Sequence, residues 1–283
     1  MDDIRVNHFI ESFQTRGRAS FHDALERSGQ YRVRIMAILE REGVPGDLSY
    51  LPLIESGYRT RAVSRAGAVG LWQLLPETGR RYGLRIDAYV DERRDPVRST
   101  RAAARYLRDL HARFGSWHLS LAAYNVGPGR IARLIVRREP YIGVPMVAWE
   151  SLPSAARNYV SQFVAASRIA RAPEHHGFER LAQMPVRYDV VHVRPSLSFR
   201  AAASMAGASV AEIADLNPAL VQRTTPPDGR GYPLRVPKGT KERFELADAR
   251  LAPGTSRGGQ PVHLRSVMRS ESDLDALAII AQR

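Results

Sequence analysis

The most informative segment of this chain reads Leu48-Ser49-Tyr50-Leu51-Pro52-Leu53-Ile54-Glu55-Ser56-Gly57-Tyr58. Its apolar residues recur at helical spacing and carry one carboxylate, Glu55, to the point where Ser56 and Gly57 end the predicted helix. At the C-terminal end of a helix the dipole disfavours a negative charge, and apolar neighbours desolvate it. Both effects raise the pKa of a carboxyl group, as a general acid near neutral pH requires. A single glutamate at a helix end is more often a surface residue, so other motifs must support a catalytic role.

The composition of this chain is typical of a globular protein and indicates little more about its function. The 283 residues, 44% of them hydrophobic and 25% charged, predict a globular protein with one medium and one small domain. The absence of cysteine excludes disulfides and thiol chemistry. No apolar run reaches membrane-spanning length, and no signal-peptide core follows Met1. The protein is therefore either cytoplasmic or exported by an N-terminal segment that this sequence lacks.

The net charge of +13 favours an anionic partner. Its arginines are scattered in short pairs, as at Arg80-Arg81, Arg93-Arg94 and Arg137-Arg138, rather than gathered on one stripe. Nucleic-acid proteins usually cluster their basic residues on one face, so nucleic-acid binding is not expected.

Helical patterns dominate the chain up to residue 171. Residues 4–42 predict helix, and Asp47 is a suitable N-cap for the helix that ends at Glu55. Residues 58–70 lack a clean period and predict a loop packed on the core. Further helices are predicted at 71–82, from Asp95-Pro96 to Phe114, at 117–124, at 131–136 and from a capping Ser154 to about Arg171, with a loop at 138–153.

A second, smaller domain follows a change of composition after Pro173. Residues 186–193 alternate and are rich in valine, which predicts a strand. Two short helices at 199–205 and 210–216 and a second strand at 233–237 complete the order strand, helix, helix, strand.

Five short motifs occur in a fixed order on the all-α background: Glu55-Ser56, Ser64, Gly70-Leu71-Trp72-Gln73, Ala123-Tyr124-Asn125 and Tyr159. Together they resemble the catalytic domain of the family 1 lytic transglycosylases, the SLT domain, over roughly residues 5–172. The flanking Tyr50–Ile54 and Asp91–Pro96 look most like the membrane-bound lytic transglycosylase D subgroup. The resemblance implies a mainly α, goose-type lysozyme-like fold.

The resemblance also implies roles for the matched residues. Glu55 would protonate the glycosidic oxygen between N-acetylmuramic acid and N-acetylglucosamine and then act as a base, with Tyr159 orienting it. Trp72 is expected in the core rather than as a sugar platform. The other implied substrate contacts are Ser64 and Gln73 at the muramoyl residue, Tyr124 lining the cleft, and Asn125 anchoring the turn that shapes it. For these polar residues, local capping or turn formation is the alternative interpretation.

The resemblance implies the type of reaction, and the lack of a second acid in the motifs agrees with it. A glycosidase normally places two carboxylates at the scissile bond. The other acids considered, Asp91, Glu92 and Asp95, lie in an arginine-rich segment, and Asp95 reads as the N-cap before Pro96. A single glutamate fits the non-hydrolytic mechanism that the resemblance implies, which yields 1,6-anhydromuramoyl ends. A hydrolytic goose-type muramidase and a non-catalytic peptidoglycan-binding protein are the alternatives.

The second domain resembles a degenerate LysM module, a small α+β glycan-binding fold. The resemblance rests on Ser196–Phe199, Ala208–Ile213, Leu216-Asn217-Pro218 and Leu234–Pro237. It departs at Arg194-Pro195-Ser196-Leu197, so a purely structural role is the alternative to glycan binding.

The sequence thus predicts a domain order, a partner and a compartment. The predicted segments are an N-terminal helical segment packed on the catalytic domain (1–45), the SLT domain (46–172), a linker (173–185), the LysM-like module (186–238) and a flexible tail (239–283). The alternative interpretation of the tail is the start of a truncated LysM module. No metal or organic cofactor is expected, and Glu174-His175-His176 reads as linker rather than as a zinc site. The expected partner is peptidoglycan, bound by a periplasmic or cell-envelope monomer, with membrane association only through a missing signal or lipid anchor.

Overall fold

The computed structural model describes residues 3–136, 149–179, 182 and 184–251. The chain divides into two compact units, one formed by residues 1–84 and 96–185 and the other by residues 85–95 and 186–283. The first unit is helical and the second combines helices with a two-stranded sheet. Within the described residues, no helix combines the length and the apolar character that crossing a membrane requires.

The helices of the first unit confirm the mainly α prediction. They are α1 Asp3–Gln14, α2 Arg18–Arg41, α3 Leu51–Glu55, α4 Pro76–Arg81, α5 Pro96–Phe114, α6 Trp117–Val126, α7 Pro128–Val136 and α8 Ser154–Arg171. The predicted helix over 4–42 is two helices, because the chain breaks between Gln14 and Arg18 around Gly17.

The helix that carries Glu55 is shorter than the sequence pattern predicts. A 3₁₀ turn over Gly46–Tyr50 precedes it, and α3 itself spans Leu51–Glu55. Pro52 explains the late start, because its ring clashes with the carbonyl four residues earlier in an α-helix and is tolerated only in the first turn. Asp47 is not an N-cap, since it lies inside the 3₁₀ turn and its exposed carboxylate pairs with Arg171.

Two further helix boundaries differ from the predictions. Residues 71–75 form turns, and α4 begins at Pro76, whose fixed φ suits a first helical position. Pro153, not Ser154, occupies the N-cap of α8. The predicted loop over 138–153 lies mostly outside the described residues, which resume with a 3₁₀ turn at Trp149–Ser151.

The second unit has the predicted order strand, helix, helix, strand, followed by one more helix. Its elements are β1 Tyr188–Val193, α9 Phe199–Ala206, α10 Val210–Leu216, β2 Tyr232–Pro237 and α11 Lys241–Leu251. The strands pair antiparallel, from Tyr188 opposite Pro237 to Val193 opposite Tyr232. Their inward-facing valines and Leu234 pack with Phe199 and Ile213 in one apolar core.

Two predicted boundaries of the second domain differ from the bounds that the structure shows. Residues 241–251, expected in a flexible tail, form α11, whose Phe244 is buried in the core of the unit. Residues 252–283, with the suggested truncated module, lie outside the described residues. Residues 85–95, expected within the catalytic domain, belong to the second unit because Val90 is buried in the same core.

The predicted linker over 173–185 belongs to the first unit. A 3₁₀ turn at Pro173–His176 follows α8, and the ring of Phe178 is buried 5.5 Å from the ring of Phe21. Aromatic burial of this kind fixes a segment that its polar sequence would leave free.

Candidate active site

Glu55 is the last residue of α3, and its carboxyl group is partly buried. Burial raises the pKa of Glu55 to about 7, against a smaller lowering effect from the hydrogen bond with Tyr159. A carboxyl group with such a pKa is substantially protonated at neutral pH, so it can donate a proton and then accept one. This agrees with the chemistry predicted from its apolar sequence neighbours.

Tyr159 lies on α8 and donates a hydrogen bond from its hydroxyl to Oε1 of Glu55. The tyrosine is buried, and burial followed by the negative charge of Glu55 raises the pKa of its hydroxyl well above the usual value. The hydroxyl therefore stays protonated and serves as a permanent donor to the carboxylate. The two residues predicted to form a pair from the motifs are in direct contact.

Tyr124, near the end of α6, is the third residue at this place. Its hydroxyl donates to the backbone carbonyl of Trp72 at 2.6 Å, and its ring lies 5.3 Å from the ring of Tyr106. Burial and, next, the charge of Glu55 raise the pKa of Tyr124 well above its usual value. That electrostatic influence indicates that Tyr124 shares the surroundings of Glu55.

The loop Gly70–Gln73 is held by hydrogen bonds from α5, from α6 and from Ser56, the residue that follows α3. The hydroxyl of Ser56 donates to the carbonyl of Leu71 at 2.9 Å, and the indole N–H of Trp72 donates to Oγ1 of Thr100 on α5 at 2.9 Å. Tyr124 of α6 supplies the third bond, at the Trp72 carbonyl. Trp72 is fully buried, which confirms its expected place in the core.

Gln73 and Ser64 make contacts within their own loops. Gln73 adopts a left-handed backbone with φ 48°, and its Nε2 donates to the carbonyl of Gly70 at 2.9 Å. The hydroxyl of Ser64 accepts a hydrogen bond from the backbone N–H of Ala68 at 3.1 Å. Both residues therefore help to form their loops, which is the alternative interpretation given for them above. A residue that forms a loop can also contact the substrate.

Asn125 does not belong to the turn in which the sequence placed it. It lies within α6, which ends at Val126 before Gly127 with φ 88°. Its side chain is exposed, close to the end of the helix that carries Tyr124. The glycine, with no Cβ, accounts for the end of the helix more directly than the asparagine does.

The other acids considered in the sequence are buried and engaged inside the second unit. Asp91 accepts two hydrogen bonds from the guanidinium of Arg93 at 2.9 Å, and Asp95 forms an ion pair with Arg235 at 2.7 Å. Glu92 accepts from the backbone N–H of Arg85 at 2.8 Å. The sequence places these acids in a charged, arginine-rich loop, whereas the structure buries all three of them. Asp91 and Asp95 pair with the buried guanidinium groups of Arg93 and Arg235.

Sequence reasoning missed three residues that shape this site, namely Ser56, Thr100 and Tyr106. Ser56 was visible as part of the Glu55-Ser56 motif, although nothing in the sequence indicates its bond to Leu71. Thr100 and Tyr106 lie on the inward face of α5. The helical period predicts that this face is buried, but it does not predict which side chains contact it.

Three potential metal ligands lie close together on α2. Among the described residues, one group of potential ligands, His22, Asp23 and Glu26 on α2, lies within 4.8 Å of one another. Neighbouring polar residues on one face of a helix commonly approach in this way, and the three residues carry no second indication of a ligand.

Two family matches cover most of the described chain. Residues 33–140 match the transglycosylase SLT domain, and residues 187–252 match the LysM-like domain of lytic transglycosylase MltD. These matches confirm the resemblance drawn from the sequence motifs. The SLT match contains the Glu55, Gln73 and Tyr124 motifs, and it ends before Tyr159.

Individual relatives and a solved structure are similar to this chain. It is 32% identical over 246 residues to membrane-bound lytic murein transglycosylase D of Escherichia coli (strain K12), which covers 84% of this chain and 53% of that protein. It is 37% identical over 102 residues to membrane-bound lytic murein transglycosylase F of Alcanivorax borkumensis, covering 32% and 20%. An inactive mutant of lytic transglycosylase Slt from Pseudomonas aeruginosa is 26% identical with a TM-score of 0.42, covering 51% and 24%. The chain thus spans 53% of the length of the first relative.

Proposed function

This chain belongs to the SLT-domain family, and we propose that it is a peptidoglycan lytic transglycosylase. The proposed reaction cleaves the β-1,4 bond between N-acetylmuramic acid and N-acetylglucosamine without consuming water. The observation that carries the proposal is the Glu55 carboxyl group, whose pKa is raised to about 7 by burial and which Tyr159 contacts directly.

In the first step, protonated Glu55 donates its proton to the glycosidic oxygen. The bond between this oxygen and C1 of the muramoyl residue breaks, and the N-acetylglucosamine end leaves with a hydroxyl group. The positive charge at C1 is stabilised by the acetamido oxygen of the same sugar. Glu55 becomes a carboxylate, and the hydrogen bond from Tyr159 stabilises the new negative charge.

In the second step, the Glu55 carboxylate removes the proton of the muramoyl C6 hydroxyl. The oxygen of that hydroxyl attacks C1, displaces the acetamido oxygen and closes a 1,6-anhydro ring. Glu55 returns to its protonated form, so one group performs both transfers and no proton or water is gained or lost overall. A pKa near 7 suits such alternation, because neither protonation state is strongly favoured at neutral pH.

Engagement of the other acids supports a mechanism with one carboxyl group. Hydrolytic glycosidases use a second carboxylate as nucleophile or as base for water. Asp91 and Asp95 are each tied to a buried arginine, and Glu92 accepts a backbone N–H. In the absence of a second free acid in these motifs, the substrate itself supplies the nucleophile.

Four other residues are proposed to contact or shape the substrate site. The ring of Tyr124 lines the sugar cleft while its hydroxyl holds the Trp72 carbonyl. The amide of Gln73 meets the muramoyl residue or the surroundings of Glu55, and Ser64 meets the same sugar through the loop that it helps to form. Asn125 is exposed at the end of α6 and acts on the shape of the cleft.

The substrate places the protein in the cell envelope. Peptidoglycan lies outside the inner membrane, so we propose a periplasmic monomer that reaches its substrate after export. The net charge of +13 suits a polymer that carries peptide carboxylates on its lactyl groups. The LysM-like unit is the candidate for additional glycan contacts.

The test is digestion of purified peptidoglycan followed by mass measurement of the released muropeptides. Anhydromuramoyl ends, lighter than reducing ends by one water, are expected. Reducing ends would instead establish a hydrolase, and retained binding without any release would establish a binding protein. A reaction in isotopically labelled water adds a second readout, because the proposed mechanism incorporates no solvent oxygen.

A further inference from the structure

The residues directly after Glu55 form a turn with two left-handed positions. Gly57 has φ 57° and Tyr58 has φ 59°. The left-handed region is uncommon for residues other than glycine and is strained for one as bulky as tyrosine, so surrounding contacts must maintain it. The backbone N–H groups of Ser56 and Tyr58 donate to the carbonyl of Pro52, at 3.1 and 3.2 Å, and end α3 at Glu55. The placement of Glu55 therefore depends on what holds this turn.

Two side-chain hydrogen bonds hold the left-handed part of the turn. Tyr58 is 1% exposed, and its hydroxyl donates to the carbonyl of Ser49 just before α3. Nε of Arg27, on α2, donates to the carbonyl of Gly57 at 2.7 Å. A Cβ at Gly57 would lie 3.2 Å from Nη2 of the same arginine, so the glycine leaves the space that the guanidinium uses. Arg27 thus contacts the backbone two residues beyond the candidate acid.

The surroundings of Arg27 are costly for a guanidinium. Desolvation by burial, and next the charge of Arg59, lowers the pKa of Arg27, against the opposite effects of Asp23 and Glu26. Among the described residues, its buried Nη2 has no hydrogen-bond partner. A buried donor without a partner costs the folded state free energy. The bond from Nε to Gly57 is therefore better explained by placement of the turn than by a gain in stability.

The charge of Arg27 does not account for the state of Glu55. Burial raises the pKa of Glu55 and the hydrogen bond from Tyr159 lowers it, and the guanidinium is not among these causes. Any influence of Arg27 on Glu55 therefore passes through the backbone of the turn. Because a small displacement of a reacting group costs much of the rate, such a contact matters for catalysis as well as for the fold.

We propose that Arg27 is a positioning residue for the reaction: its Nε fixes the Gly57 carbonyl and so keeps the Glu55 carboxyl group in its buried place against Tyr159. These four residues all belong to the first unit. The property required of Arg27 is a donor at the position of Nε, and the positive charge is not required. As far as it concerns activity, the inference rests on the proposed function.

The experiment uses the full chain and compares Arg27→Gln, Arg27→Met and Arg27→Lys. Glutamine places its amide nitrogen where arginine has Nε, whereas methionine and lysine place a carbon atom there. Arg41→Met, at an exposed arginine that ends α2, is the matched control. Two quantities are measured: the pH titration of the Glu55 carboxyl ¹³C resonance, assigned with Glu55→Gln, and kcat and KM for anhydromuropeptide release.

Arg27→Met is expected to lower kcat about tenfold to a hundredfold with KM nearly unchanged, because Glu55 is displaced from its reacting position. The pKa of Glu55 should fall from about 7 towards its ordinary value of 4.5, since a loosened turn exposes the carboxyl group to water. Arg27→Lys should show the same two changes. Arg27→Gln, which keeps the donor without the charge, and Arg41→Met should both stay close to the wild type.

The outcomes separate this inference from its alternatives. A merely structural role would lower the urea midpoint of Arg27→Met but leave kcat and the Glu55 titration of the folded protein unchanged, and that result would overturn the proposal. Activity retained in Arg27→Lys but lost in Arg27→Gln would show that the charge acts instead, and would also overturn it. If Arg27→Met does not fold, Arg27→Lys decides by the same readouts. If the wild type releases no anhydromuropeptides, the proposed function fails, while the Glu55 titration still tests whether Arg27 positions the carboxyl group.

Discussion

Tyr159 donates its hydroxyl hydrogen bond to Glu55 although 104 residues separate the two in sequence. One lies on α8 and the other at the end of α3, and no sequence-local interaction could bring them together. The contact joins a donor that does not ionise near neutral pH to a carboxyl group with a pKa of about 7. It gives the candidate active site a specific electrostatic arrangement, from which the first prediction follows.

Tyr159→Phe is expected to move the basic limb of the pH profile to higher pH. The hydrogen bond from Tyr159 lowers the pKa of Glu55, so its removal raises that pKa above about 7. The rate should also fall, because the developing carboxylate loses a donor. The measurement is kcat/KM for anhydromuropeptide release across the pH range. Tyr82→Phe, whose hydroxyl contacts Asp109 instead, serves as the control, and an unshifted limb in Tyr159→Phe would contradict the assignment.

Glu55→Gln is expected to abolish turnover while the fold persists. Glutamine keeps the shape of the side chain but can neither donate nor accept a proton in the two steps. Loss of general acid–base catalysis predicts a decrease of about a thousandfold or more in release of anhydromuropeptides. Glu77→Gln, on α4, provides the matched control. Clearance of peptidoglycan by Glu55→Gln at the wild-type rate would remove Glu55 from the mechanism.

The same residue makes stability depend on pH in a defined direction. The pKa of Glu55 is raised from 4.5 to about 7, so below pH 4.5 the group is protonated in both the folded and the unfolded state. As the pH rises from 4.5 to about 7, the Glu55 carboxyl group loses its proton in the unfolded chain before it does so in the folded protein. The free energy of unfolding therefore falls over this range. The rise of the Glu55 pKa corresponds to a loss of at most about 3 kcal/mol in the free energy of unfolding. Solvent screening of the partly exposed carboxyl group makes the loss smaller.

Glu55→Gln should therefore gain stability relative to the wild type between pH 4.5 and pH 8. Urea unfolding of both proteins at the two ends of this range measures the difference. Glu77→Gln should show no comparable pH-dependent gain. A difference between Glu55→Gln and wild type that stays constant with pH would show that burial does not perturb Glu55.

Thr100→Val is expected to destabilise the first unit by about 1–3 kcal/mol, because the buried indole N–H of Trp72 loses its acceptor. Valine has nearly the same shape, so packing changes little. Urea unfolding measures the loss, and the rate of muropeptide release should fall with it since Trp72 belongs to the loop that carries Gln73. Thr15→Val, at an exposed threonine, should stay within about 0.5 kcal/mol of wild type.

Phe244→Ala tests the helix that replaces the predicted tail. Phe244 on α11 is 1% exposed within the core of the second unit, so its truncation should cost about 3–5 kcal/mol. Leu246→Ala, on the same helix but 64% exposed, should change stability by about 0.5 kcal/mol or less. Hydrogen exchange at the amides of β1 and β2 measures both variants. Equal effects of the two substitutions would show that α11 does not pack as described.

Much of the architecture could be predicted from local signals. Pro96 marks the start of α5, and the valine-rich alternation over 188–193 marks β1. The apolar residues before Glu55 predict its raised pKa, which the structure bears out. These successes depend on interactions between residues close together in the chain, for which period and composition are sufficient evidence.

The failures also have physical reasons. The sequence around Asp91, Arg93 and Asp95 predicts a charged loop but does not predict its burial, because ionised side chains are seldom buried unless they are paired. Their partners are adjacent in space, and for Asp95 the partner is Arg235, 140 residues away. The helix α11 was missed because a single buried aromatic residue, Phe244, does not create a recognisable helical period.

By itself, the sequence determined the helical character of the first unit, the strand–helix–helix–strand order of the second and the identity of Glu55 as the candidate acid. Each of these follows from propensity, periodicity or a short motif. Only the tertiary structure decided that Thr100 holds the indole of Trp72, that Asp95 pairs with Arg235 and that residues 85–95 complete the LysM-like core. Such pairings depend on which buried polar groups find partners when distant elements pack, and the sequence of either element alone does not contain that information.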